Sequence, residues 1–275
     1  NNDNLVPTAN CFMVEPGGSF CFDPFACQQN GTEITNSQMT GWYGTASTGI
    51  KSVKLLWQTR ENGDVGDPVM GIANSDDDHT NIVDIKRTID NSDTNTVPAN
   101  DKGQCRIYCR VAANTTGGNG EIAAYDGPDG TGNIVWSWHV WVTRYDPDAE
   151  LVAYGKIYTW DNNGDGVVDY TFMDRNLGAT IDKAIIENTS ADSLAACGLM
   201  YQWGRKDPFP GDHDFRRSNS TDYNYFESKP IYDASGTLLT ERSATGGTGI
   251  RSVKTDTDLT RTGLAKSILE PMTVL

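Results

Sequence analysis

The sequence predicts a mainly β protein: an N-terminal immunoglobulin-like β-sandwich over residues 1–146, then an irregular α+β domain over 147–275. Three observations carry that prediction. Apolar and polar residues alternate at period two in run after run of the first half. Glycine, at 28 residues, joins Asn, Asp, Ser and Thr in the segments between those runs, where turns are needed. Seven Trp, eleven Tyr and eight Phe supply large pieces of core to a chain that is only 37% hydrophobic. A length of 275 residues suits two domains better than one.

The elements follow in chain order. NCFMVE, then Pro16-Gly17-Gly18, then SFCFDPF reads as a hairpin. SVKLLWQ places Val53, Leu55 and Trp57 on one side against Lys54, Leu56 and Gln58. NIVDIKRTI sets Val83, Ile85, Arg87 and Ile89 against Ile82, Asp84, Lys86 and Thr88. In QCRIYCRVAA, Cys105, Ile107, Cys109 and Val111 face inward, with Arg106, Tyr108 and Arg110 outward. Two further strands flank the turn DGPDGTG. In the second of them, Trp136 and Trp138 share a face with Ile134, Val140 and Val142, while His139 and Trp141 lie on the other. Apolar groups on both faces predict a central strand or one covered by the next domain. The Trp row is better core than sugar platform, and His139 is expected to be a satisfied, semi-buried histidine. Seven or eight strands in about 140 residues fit an immunoglobulin-type sandwich.

Tyr145-Asp146-Pro147-Asp148 is a natural boundary. Beyond it, GKIYTW and VVDYTFM predict two strands, with Val168, Tyr170 and Phe172 on one face. Ser190-Ala191-Asp192-Ser193-Leu194 reads as a capped helix start, LMYQWG as a strand, and GLAKSILEP as a short last helix. Residues 205–262 are long, polar and irregular.

A net charge of −15 leaves no basic stripe to neutralise phosphates, which argues against nucleic acid and anionic membranes. No apolar stretch of about 18 residues exists, so no helical span is predicted. The opening NNDNLVPTAN suits a mature or trimmed form. Cys105 and Cys109 share a strand face, and Cys11 and Cys21 lie in strand-like runs; cross-strand disulfides and buried thiols are both open. Three histidines without metal or triad spacing, and no nucleophile-elbow, phosphate-loop or dinucleotide motif, give no catalytic residue to assign.

WDNNGDGVVDY holds the sharpest motif. Asp161, Asn163, Asp165 and Asp169 occupy positions 1, 3, 5 and 9 of a calcium loop, with Gly166 at position 6 and the Val167 carbonyl at position 7. Position 12 is Phe172 rather than Glu, and the flanks read as strands, so an EF-hand is ruled out. Two readings stay open: a calcium loop between strands, or a solvated hairpin turn built on Asn163-Gly164 and Asp165-Gly166. In LMYQWGRKD, Tyr201, Trp203, Arg205 and Asp207 combine rings with charged hydrogen-bonding groups, as a carbohydrate site would, and also as strand core would.

FMDRNLGAT at 172–180 and GLMYQWGRKDPFPG at 198–211 resemble the Fibrobacter succinogenes major paralogous domain as it occurs in fimbrillin-like surface proteins of Bacteroidota. PTANCFMVEPGGSFCFDP and NIVWSWHVWVTRYDP are similar to the start and end of the β-sandwich module beside that domain. The resemblance implies an exported, cell-surface or fimbria-associated protein with a C-type-lectin-like second domain, and it supplies no catalytic residue. It also implies that the second domain is incomplete at Leu275 and that Cys197 lacks a partner. The expected function is non-enzymatic: adhesion, glycan binding or filament assembly, with a glycan or another subunit as partner and calcium as cofactor. An accessory module or enzyme of extracellular polysaccharide degradation is the alternative.

Overall fold

The computed structural model describes residues 9–29, 32–35, 49–60, 68–72, 82–146, 157–181, 195–196, 198–200, 207–210, 212–213, 227–228 and 231–238. Its first part contains β1 (Cys11–Val14), β2 (Ser19–Phe22), β3 (Ala26–Gln29), β4 (Thr32–Thr35), β5 (Ser52–Thr59), β6 (Ile82–Arg87), β7 (Cys105–Arg110), β8 (Gly118–Tyr125) and β9 (Ile134–Val142). The second part contains β10 (Ile157–Trp160), β11 (Tyr170–Met173), β12 (Leu199–Met200), β13 (Phe209–Pro210), β14 (Asp212–His213), β15 (Glu227–Ser228) and β16 (Ile231–Tyr232). The protein is mainly β, as its alternation predicts. None of its described helices is long and apolar enough to cross a membrane.

Two sheets face each other across one core. The larger has the order β1-β9-β8-β5-β16 and the smaller β2-β7-β6. Strand β7 alternates strictly: Cys105, Ile107 and Cys109 are buried, while Arg106, Tyr108 and Arg110 are half-exposed. From the larger sheet come Phe12, Val53, Leu55, Ile122, Trp136, Trp138 and Val140, and from the smaller Phe20, Phe22, Ile85 and Ile107. Phe12 packs 4.5 Å from Phe22, and Phe22 meets Trp138 edge-on at 5.1 Å. Each such side chain contributes about 1.5–3 kcal/mol by leaving water.

Three local expectations are corrected. The segments around Pro16-Gly17-Gly18 do not pair as a hairpin. Strand β1 runs parallel to β9, whereas β2 pairs antiparallel with β7 in the other sheet. The turn is real, with Gly17 at φ 77° and the Gly18 N–H on the Glu15 carbonyl at 2.8 Å, but it carries the chain between sheets. Turn residues specify a reversal and not the partner of the strand that follows it. Trp57 leaves the face of Val53 and Leu55, because the register shifts between Leu55 and Trp57. It packs instead with Leu199 and Ile231 in a separate small cluster. Ile89 is 80% exposed, since β6 ends at Arg87 and a turn begins.

Strand β9 is buried on both faces. Its inner face lines the core; its outer face lies under segments of the later chain. Strand β16, also from that later part, pairs with β5, Ile231 opposite Thr59. Cys11, Cys105 and Cys109 are free thiols, and Cys21 is buried. Cys27 lies in β3, opposite Ile34. Cys197, the helix starts predicted at 190 and within GLAKSILEP, and most of 205–262 fall outside the described residues.

Candidate functional site

Two places concentrate chemistry: the covered outer face of the larger sheet, and the β10–β11 hairpin. On the covered face, side chains of β1, β8 and β9 that point away from the core meet the turn MDRNLGAT. Arg175 donates from Nε to Asp174 Oδ1 at 2.7 Å, from Nη2 to Oδ2 at 3.3 Å and from Nη1 to the Thr180 carbonyl at 3.2 Å. Its guanidinium lies 4.3 Å from the centre of the Tyr145 ring, which in turn neighbours Trp141 at 6.1 Å. The Arg175 and Asp174 side chains are only 10% and 2% exposed, so this is an interior ion pair capped by a cation–π contact. Burial pushes the Tyr145 phenol up, and the Asp174 carboxylate adds to that.

The same turn reaches the sheet through Gly178, whose carbonyl accepts from Asn119 Nδ2 at 2.8 Å. Gly178 sits at φ +79°, and a Cβ there would stand 2.4 Å from Leu199 Cγ and 2.8 Å from Asn119 Oδ1. The Leu199 N–H donates to the Leu177 carbonyl at 2.8 Å, and Thr180 N–H to Ala195 at 2.9 Å. The motif is therefore a clip fastening the second part of the chain to the sheet.

Beneath the clip lies a chain of three side chains. Asn119 commits its amide nitrogen to Gly178, so its Oδ1 accepts from His139 Nε2 at 2.9 Å, and His139 Nδ1 accepts from the Cys11 thiol at 3.0 Å. Thiol, imidazole and amide in that order is the arrangement of a nucleophilic cysteine centre. The electrostatics run the opposite way. Such a nucleophile has a depressed pKa, whereas Cys11 is pushed up to about 12 by burial and then by the Glu121 carboxylate. Although Cys11 is partly exposed as a residue, its thiol faces the imidazole; His139 is 3% exposed and Asn119 fully buried. The thiol is held neutral, and the network fixes three strands to the clip. His139 is as satisfied as its strand context predicts, but fully rather than partly buried.

The hairpin contrasts with this layer. Strands β10 and β11 pair antiparallel, Trp160 opposite Tyr170. The connecting loop is organised by its own side chains. Asp161 Oδ1 accepts the N–H of Asn163 at 3.2 Å and of Gly164 at 2.6 Å, and Oδ2 accepts that of Gly166 at 2.7 Å. Asn163 Oδ1 takes the Asp165 N–H, Asp165 takes those of Val167 and the Asn163 amide, and Asp169 Oδ2 takes that of Asn162. Gly164 and Gly166 both adopt positive φ, 75° and 82°, with open space around them. The Gly166 N–H above all holds the Asp161 carboxyl below its ordinary value. Among the described residues no three His, Cys, Asp or Glu side chains converge as a metal-binding group. The five expected ligands Asp161, Asn163, Asp165, Val167 and Asp169 share one loop, which as it stands is a self-capped turn.

Of the expected carbohydrate residues, Tyr201, Trp203 and Arg205 lie outside the described residues. Asp207 is 7% exposed and accepts from Ser137 Oγ at 2.6 Å, on the covered face of β9. Sequence reasoning put Val168, Tyr170 and Phe172 on one face but did not add Trp160 to them or find that face exposed. Trp160, Val168, Tyr170 and Phe172 are all more than half exposed, and the Tyr170 and Phe172 rings lie 6.2 Å apart. The signal was present: aromatic residues at alternate register positions, Tyr158 opposite Phe172 and Trp160 opposite Tyr170, in a short hairpin closed by a loop rich in Asp and Asn.

No protein-family model, no curated protein and no solved structure matches the chain.

Proposed function

We propose that this is a non-enzymatic extracellular protein, cell-surface or fimbria-associated, acting in adhesion, glycan binding or filament assembly. The observation that carries the reading is the hairpin: a row of exposed rings on a protein in which Cys11, His139 and the Arg175–Asp174 pair are turned into the interior. Such a row costs solvation unless a partner covers it. The parallel β1–β9 pair within the larger of two facing sheets supports an immunoglobulin-like arrangement for 1–146. The resemblance of FMDRNLGAT and GLMYQWGRKDPFPG supports a Fibrobacter succinogenes major paralogous-type, lectin-like unit for 147–275. Calcium is the cofactor we propose for the Asp161–Asp169 loop, on ligand spacing alone.

The test presents the whole chain to a glycan array and to itself, and assays release of reducing sugar from plant and host polysaccharides. Binding or ordered self-association without turnover is the expected result. Turnover abolished by one carboxylate substitution in a folded variant would establish the polysaccharide-degrading alternative instead.

A further inference from the structure

We propose that the Trp160–Tyr170–Phe172 face of the β10–β11 hairpin seats a neutral oligosaccharide. The inference deepens the binding reading above and rests on it.

Register places the three rings together. Trp160 is directly opposite Tyr170 across the ladder, and Phe172 follows two residues on, so all three side chains leave the same face of the ribbon. They are 58%, 57% and 55% exposed, and Val168, 52% exposed, extends the row toward the loop. The 6.2 Å between the Tyr170 and Phe172 centroids, with planes tilted by 36°, is comparable to the spacing of successive pyranose rings in a chain. The apolar C–H faces of such rings stack on aromatic faces while their hydroxyls need acceptors at the edge.

The adjacent loop provides those acceptors in fixed positions. A carboxylate has about four acceptor sites. In the loop without calcium, its own donors take two on Asp165 and one on Asp169, which anchors both groups and leaves capacity for hydroxyls.

Charge narrows the occupant further. Asp161, Asp165 and Asp169 lie in the loop that joins the two strands, and the chain carries a net charge of −15, so phosphorylated, sulfated or uronic ligands are repelled. A second copy docking the same face would bring its own loop carboxylates toward these. A neutral polyol meets neither penalty.

Calorimetric titration of the whole chain with cellohexaose, xylohexaose, mannohexaose and laminarihexaose tests the assignment, with polygalacturonate and a Lys-rich decapeptide as controls. The expected result is binding of at least one neutral hexasaccharide, little changed by salt. It should weaken tenfold or more in Trp160→Ala and in Tyr170→Ala, and be retained in Phe172→Tyr, all with the parent's melting temperature. If the parent binds but these variants bind equally well, or if Trp203→Ala alone abolishes binding, the hairpin assignment is overturned and the binding reading stands. If no hexasaccharide binds while the chain self-associates, the assignment is overturned and assembly carries the function. Tight, salt-sensitive capture of the decapeptide through the same three residues would also overturn it, since the face would then be built for a cationic segment. Absence of binding to sugar, peptide and self would overturn both.

Discussion

The covered face of the larger sheet and the β10–β11 hairpin use much the same residue types to opposite ends. Both hold aromatic rings beside aspartates and asparagines. On the covered face every one of these is engaged inward: Arg175 with Asp174 and Tyr145, His139 with Cys11 and Asn119, Ser137 with Asp207. On the hairpin the polar groups satisfy only their own loop, and the rings face water. Solvent access makes the difference. In a low-dielectric layer, hydrogen bonds and charges lock parts of a chain together, because leaving one unmade is costly. On a wet ribbon the same groups contribute little to folding and are available to a ligand.

The comparison breaks most sharply at Arg175. Arg175→Met keeps the stem and strips Asp174 of its cationic partner, so destabilisation of about 3–5 kcal/mol is expected in denaturant unfolding. A change below 1 kcal/mol would mean the clip is not held by this pair. Gly178→Ala comes next. Its positive φ and the 2.4 Å approach to Leu199 Cγ predict a loss of about 1–3 kcal/mol. Gly164→Ala, with the same sign of φ but nothing within 4 Å, is expected to cost less, which isolates the packing contribution.

Cys11 sharpens the contrast without a stability change. With its thiol at about 12 instead of 9.0, roughly a thousandfold less thiolate exists near pH 8 than for an ordinary cysteine. Disulfide reagents should label it only as fast as the protein unfolds, and rapid stoichiometric labelling of native Cys11 would contradict the neutral-thiol description. The hairpin substitutions of Trp160 and Tyr170 are expected to change stability by no more than about 0.5 kcal/mol, in line with exposed positions.

The smallest effect belongs to the loop. Asp161 has a lowered folded pKa, so its support for the turn is complete above the unfolded value of 3.8 and fades as pH falls through the folded one. The Gly166 amide resonance should follow that lower midpoint, and Asp161→Asn should remove the transition. Calcium, if bound, raises the melting midpoint after EDTA treatment and magnesium does not, with the rise absent in Asp165→Ala. No shift at millimolar calcium would leave the loop as the self-capped turn.

Much of this was legible in the sequence. Period-two alternation gave β7 and both faces of β9, and the β10–β11 pair followed from two aromatic runs around Asn-Gly and Asp-Gly. These are local properties: a strand's faces follow from the pleat, and a turn from which residues tolerate positive φ. Pairing was not legible, because the Pro16-Gly17-Gly18 turn looks alike whether it joins neighbours or crosses between sheets, and the bulge at Leu56 redirects Trp57 without any glycine to mark it.

A mainly β, acidic chain with an Asp- and Asn-built loop at 161–169 and aromatic strands beside it follows from residue order alone. Which polar groups are interior depends on how the sheets and the clip come together. Cys11, Asn119, Asp174 and His139 are scattered over more than half the chain, and nothing local marks them as neighbours. They meet because β1 lies parallel to β9 and the clip closes over the sheet, and burial then turns an apparently reactive set into a fastening.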